Sequence, residues 1–205
     1  MKTKKIMAAL LAGVLATTAV VSASAATLSD VTPEQSVEVT ANITDPGTVS
    51  YTITIPDSAD FGQLTMPDSD TDSYVFRSFE VEATELNIKS NQLVSVWVKD
   101  SCSDFETDGQ FCISQKDAAD PFKIQYDVYT GTVDENNIST STAINSSGTP
   151  GTYGYHLCSF KYGTQGTKTT NTLALNQKAL YGQEYSAIAG DYSGTILFHS
   201  ALQEI

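Results

Sequence analysis

The chain is poor in the residues that most chemistry requires. Of its 205 residues only two are histidine, His156 and His199, three are cysteine, and one, Trp97, is tryptophan. Nucleophilic catalysis near neutral pH needs a base beside the nucleophile, and histidine is the usual one. Neither histidine sits in a GxSxG or HExxH pattern, so an enzyme is not expected. Basic residues are also few, 11 against 24 acidic ones, for a net charge of −13. No Lys/Arg-rich stretch follows residue 25, which argues against nucleic acid or an anionic membrane surface as a partner. An acidic balance of this size favours solubility.

Long hydrophobic runs are scarce too, and the one present is informative. Lys2, Lys4 and Lys5 precede an uncharged apolar stretch from Ile6 to Val21, which ends in Ala23-Ser24-Ala25. The run is shorter than the roughly 18 to 20 residues of a membrane span and closes on an A-x-A site, the pattern of a secretory signal peptide over residues 1–25. Its removal leaves 180 residues as a single domain, with 8 basic residues against 24 acidic ones and a net charge of −16. No second apolar segment of membrane length follows, and no LPxTG-like sorting pattern precedes a hydrophobic tail. A secreted protein is expected, without membrane insertion after cleavage and held at a cell surface, if at all, non-covalently.

Three cysteines in an oxidising compartment suggest one pair and one odd thiol. Cys102 and Cys112 are the pair expected, and closing that loop contributes on the order of 3 kcal/mol in the chain-entropy model. The pairing requires a loop wider than a tight Asp108-Gly109 hairpin, which would set Cys112 opposite Phe105 instead. Cys158 falls in register with Phe160 and Tyr162 and reads as a small buried core residue. A zinc site from His156, Cys158, Cys102 and Cys112 matches no finger or ribbon spacing and is not expected. Asp68, Asp70 and Asp72 alternate as in the first half of an EF-hand loop, making them a weak calcium candidate. The glycine and distal glutamate of such a loop are missing, so a solvated acidic connection is the favoured reading and no cofactor is assigned.

What the chain does have is alternation. Val37, Val39, Ala41 and Ile43 oppose Val49, Tyr51, Ile53 and Ile55 across Asp45-Pro46-Gly47, which predicts a hairpin. Phe61 is expected to pack back on the core from the exit loop. Inward rows follow at Phe79, Val81 and Ala83, at Val94, Val96 and Val98, and at Phe122, Ile124, Tyr126 and Val128. Val75-Phe76-Arg77 fits neither phase and predicts a bulge or an edge. Further strands are expected over 157–162 and 169–175, with a turn or one helical turn over 179–185. Residues 130–155, rich in Ser, Thr, Asn and Gly, read as a long exposed excursion, with glycosylation sequons at Asn137 and Asn145 beside the one at Asn42. The last strand, 189–200, sets Tyr192, Gly194, Ile196 and Phe198 on one face and Leu197 and His199 on the other, and its pairing with the 37–55 hairpin is expected to close the core. Nine or so short strands without a helical period predict a two-layer antiparallel, Ig-like β-sandwich of roughly 8 to 10 strands.

Two pieces carry a family likeness. Val49-Ser50-Tyr51-Thr52-Ile53-Thr54-Ile55-Pro56 with Asp60-Phe61-Gly62, and Ala189-Gly190-Asp191-Tyr192-Ser193-Gly194-Thr195-Ile196-Leu197-Phe198, resemble the opening and closing strands of exported β-sandwich proteins of Gram-positive bacteria. In that group V-x-Y-T-I-x-I-P appears early and A-G-x-Y-x-G-T-φ-x-F late. The resemblance implies a sandwich fold and an extracellular, cell-surface-associated location, and nothing specific about ligands. Two functions of different class follow: a non-enzymatic structural or adhesive protein acting by protein–protein contact, or a carbohydrate-binding module. In the second, Trp97 and surface tyrosines such as Tyr129 would stack on a surface glycan.

Overall fold

The computed structural model describes residues 47–100, 109–146 and 150–205. The signal peptide over 1–25, the first arm of the hairpin with Asn42, and Cys102 lie outside the described residues. The described strands are β1 (Ser50–Thr54), β2 (Tyr74–Asn87), β3 (Gln92–Asp100), β4 (Phe111–Gln115), β5 (Lys123–Thr130), β6 (Tyr155–Lys161), β7 (Lys168–Asn176), β8 (Tyr192–Ser193) and β9 (Ile196–Glu204). They form an antiparallel six-stranded sheet in the order β1-β2-β7-β5-β4-β8 and an antiparallel three-stranded sheet in the order β6-β3-β9. The protein is an all-β, two-layer antiparallel sandwich.

The two layers meet on the apolar side of each alternation. Val94, Val96 and Val98 from β3, Phe79, Val81 and Ala83 from β2, and Ile124, Tyr126 and Val128 from β5 are all buried in one core, with Phe61 beside them. Burying each such side chain contributes roughly 1.5 to 3 kcal/mol against leaving it in water. Ile55 departs from its expected inward place and is exposed. Cys158 is a free, buried thiol, and burial raises its pKa. Leu157 and Cys158 are both buried because the β3–β6 register shifts between Val96 and Trp97, which turns two successive side chains inward.

Three expectations meet their outcome here. Val75-Phe76-Arg77 is a local edge and not a bulge: β2 pairs with β7 without interruption from Tyr74 to Glu82, whereas its ladder with β1 begins only at Glu82. The phase is illegible because both faces are occupied. Val75 packs in the main core, Phe76 on the opposite side, and the Arg77 guanidinium donates to the carbonyls of Asp60 and Phe61. Secondly, the last strand is two strands. Tyr192 and Ser193 pair with β4 in the large sheet, whereas Ile196 to Glu204 pair with β3 in the small one. The chain changes layers at Gly194, where a Cβ would stand 2.5 Å from the Cys112 carbonyl oxygen. Thirdly, β1 and β9 do not pair, since they belong to different sheets. They meet across the layers instead, where the Tyr51 hydroxyl donates to the Ser200 carbonyl at 3.2 Å.

The excursion between β5 and β6 is not merely exposed. Of its two 3-10 turns, Ile144–Ser146 bonds to the side of β5 and packs Ile144 on the main core, while Ile138–Thr140 lies over the outer face of the large sheet. Val133 and Ala143 are buried there with Tyr129 and Ala174, and Tyr74, Phe76 and Ile138 pack around them. Asn145 fastens the segment: its side-chain oxygen accepts from the Val128 amide at 3.2 Å and its amide nitrogen donates to Asp127 Oδ1 at 2.9 Å. Of the two sequon asparagines here, Asn145 is thus buried and bonded, and Asn137 donates to the Thr132 carbonyl while accepting from the Asp134 amide.

Candidate functional site

The outer face of the small sheet gathers the rarest side chains of the sequence. Trp97 on β3 points away from the core because its neighbours Val96 and Val98 point into it. Across the ladder it stands opposite His156 of β6 on one side and His199 of β9 on the other. Both rings touch it, with centroids 5.9 Å and 6.0 Å from the indole. A fourth ring arrives from the 150–154 turn: Tyr153 lies 5.8 Å from Trp97 and stacks flat on His199, with centroids 3.7 Å apart and planes 6° from parallel. Such contacts are worth about 0.5 to 1.5 kcal/mol per pair beyond area burial. Trp97 and His199 are half-buried, His156 is exposed, and Tyr153 is 47% exposed.

Gly154 makes this arrangement possible. Its φ of +94° is one that side chains rarely adopt, and a Cβ there would stand 2.1 Å from the Val98 carbonyl oxygen. The turn therefore approaches β3 closely enough to set the preceding residue, Tyr153, against Trp97.

Beside the rings runs a chain of hydroxyls. Ser95 donates to Gln203 Oε1 at 2.7 Å, and the Ser95 and Ser159 oxygens are 2.9 Å apart. His156 Nε2 in turn lies 2.8 Å from Ser159 Oγ, within hydrogen-bond reach. Among the described residues no carboxylate bonds to either histidine.

The other predicted site residues lie elsewhere. Tyr129 is only 6% exposed and belongs to the roofed outer face of the large sheet, so it offers no ring for stacking. Burial, with Asp127 and then Tyr74 beside it, pushes its pKa up to about 12. Tyr74 is raised as well, by burial first and by Asp72 and Asp127 next. Asp70 pairs with Lys178 at 3.3 Å and Asp72 accepts from Asn176 at 2.9 Å, so these carboxylates turn to separate protein partners. Among the described residues no group of three or more His, Cys, Asp or Glu is placed to hold a metal ion. Cys112 is buried on β4, and its backbone amide donates to Asp100 at 2.6 Å. Its expected partner Cys102 lies outside the described residues.

Sequence reasoning singled out Trp97 but missed that both histidines join it. The signal was present: with Trp97 and His199 both on outward phases, pairing β3 with β9 brings them opposite each other. Tyr153 carried no such signal, since it projects from a turn.

No family model and no curated protein matches the sequence. Among solved structures the chain is similar to one from a chaperone–tip adhesin complex described as vital for synergistic activation of CFA/I fimbriae biogenesis. The TM-score is 0.50 and the identity 15%, over 80% of this chain and 44% of that one. The chain thus spans less than half the length of that neighbour, and the likeness is one of fold: a two-layer, Ig-like β-sandwich.

Proposed function

We propose that this is a secreted, non-enzymatic, cell-surface-associated protein of adhesive type, acting by protein–protein contact through the outer face of its small sheet. The observation that carries the reading is the convergence of Trp97, Tyr153, His156 and His199 on a face that the described chain leaves open. Tryptophan and tyrosine dominate the energetics of protein contacts because they desolvate large areas at small entropic cost. The fold neighbour comes from a complex containing an adhesin, which is in keeping with such a role. Extracellular location rests on the leader pattern at residues 1–25 and on the family resemblance of the first and last strands. Residence in a Gram-positive bacterium rests on that resemblance alone.

A second reading is favoured by one detail. Trp97 and Tyr153 are adjacent rings on one open face, and sugars stack on such surfaces. The full chain and its Trp97→Ala and Tyr153→Ala variants would be tested in parallel on immobilised extracellular proteins and on a glycan array. Binding to protein that falls at least tenfold in both variants, without a glycan signal, supports the first reading. A Trp97-dependent glycan signal replaces it with the second. Binding indifferent to both substitutions, or no binding at all, sinks both.

A further inference from the structure

A separate cleft of about 1040 Å³ opens between residues 56–66 and residues 188–196. The size lies at or beyond the upper end for small-ligand pockets, roughly 300 to 1,000 Å³. Its apolar wall is supplied by Leu64, Met66, Ile113, Tyr192 and Ile196, all only partly buried although they pack on the main core. Those side chains are the ones that an additional apolar occupant would finish covering.

The backbone around the cleft is unusual for a sandwich. Residues 56–66 run past the core without joining either sheet, held by side chains: Arg77 to the carbonyls of Asp60 and Phe61, and Gln177 Oε1 accepting from the Thr65 amide at 2.7 Å. Opposite them, β8 ends the large sheet and β9 ends the small one, so among the described residues each has one edge without a ladder partner. Gly62 and Gly194 also line the cleft and present backbone without side chains. Unpaired strand edges beside a half-covered apolar wall are the two elements by which extended peptides are captured: main-chain bonds for affinity, alternate side-chain pockets for selection. The rim adds a charge preference. Asp57, Asp60 and Asp191 line it against a single Lys116.

We propose that this cleft docks an extended segment of a protein partner, with apolar side chains at alternate positions and basic residues at its ends. The alternate side chains enter the wall formed by Leu64, Ile113 and Ile196, and the basic ends meet Asp57 and Asp191. This surface is distinct from the Trp97 face, and neither proposal rests on the other.

The test uses the full chain and a fluorescein-labelled nonapeptide with valine at alternate positions, threonine between them and lysine at each end. Fluorescence anisotropy should report micromolar binding. A peptide of the same composition with its valines contiguous should bind at least tenfold more weakly, as should the first peptide to the double variant Asp57→Lys, Asp191→Lys. Both carboxylates are exposed, so the double variant should keep the circular dichroism spectrum of the parent. It should instead prefer the glutamate-ended form of the peptide. No binding to millimolar peptide, equal binding of the contiguous-valine control, or indifference to the double charge reversal would each overturn the proposal.

Discussion

The two outer faces of this sandwich begin from the same kind of alternation and end differently. On the large sheet, the segment between β5 and β6 returns across the strands and covers Tyr129, Val133, Ala143 and Ala174. On the small sheet, the described chain contributes only the 150–154 turn, and four rings remain in contact with both each other and solvent. Whether an outward-facing aromatic belongs to a core or to a binding surface is therefore decided by where a connection runs, not by the strand that bears it. Tyr129 and Trp97 occupy outward positions on their strands and have opposite fates.

The comparison is sharpest where it predicts stability. Tyr129→Ala, which empties the roofed face, is expected to cost about 3 to 4 kcal/mol by the usual large-to-small penalty, read as a drop in the urea midpoint at unchanged slope. Asn145→Asp attacks the fastening of the roof. It replaces a donor to Asp127 by a second carboxylate, and about 2 kcal/mol should be lost near neutral pH. That deficit should shrink as the pH falls toward 4 and the new carboxyl protonates, a trend that urea titrations at several pH values would show or refute.

Tyr129 also gives an alkaline signature. Its folded pKa, about 12, lies above the ordinary value of 10, so the folded state holds the proton more tightly than the unfolded one. The associated stability is complete below pH 10 and is lost as the pH rises from about 10 to about 12. Tyr129→Phe should flatten part of that decline, and an unchanged slope would mean the ring is more hydrated than its burial indicates. On the open face the effect on stability should be smaller than on the roofed one: Trp97→Ala, which removes three half-buried ring contacts, is expected to cost about 2 kcal/mol. A loss as large as that of Tyr129→Ala would show that the Trp97 cluster is a second packed core.

Much of the sandwich was legible because single-face burial writes itself as a period of two. Val94-Val96-Val98, Phe79-Val81-Ala83 and Ile124-Tyr126-Val128 all lie where their alternation puts them. The pattern became illegible at Tyr74 to Arg77, where both faces are occupied, and at 131–146, where a polar composition conceals the few buried residues that matter. The terminal strand misled for a different reason. Gly194 interrupts it without breaking the alternation, so Tyr192 and Ile196 both face the same core while belonging to different layers. The candidate site was legible through Trp97 alone, because its assembly depends on pairings between segments far apart in the chain.

Those distant pairings bear on how the protein reaches its folded state. Ser95, in the middle strand of the small sheet, bonds to Gln203, 108 positions away, and Tyr51 reaches Ser200 across 149 positions. Closing loops of that length spends entropy before any contact repays it, which places such topologies among the slower folders, in milliseconds to seconds. The small sheet cannot acquire its third strand until β9 arrives, and with it His199. The aromatic face is therefore complete only once β9, which carries His199, has docked on β3.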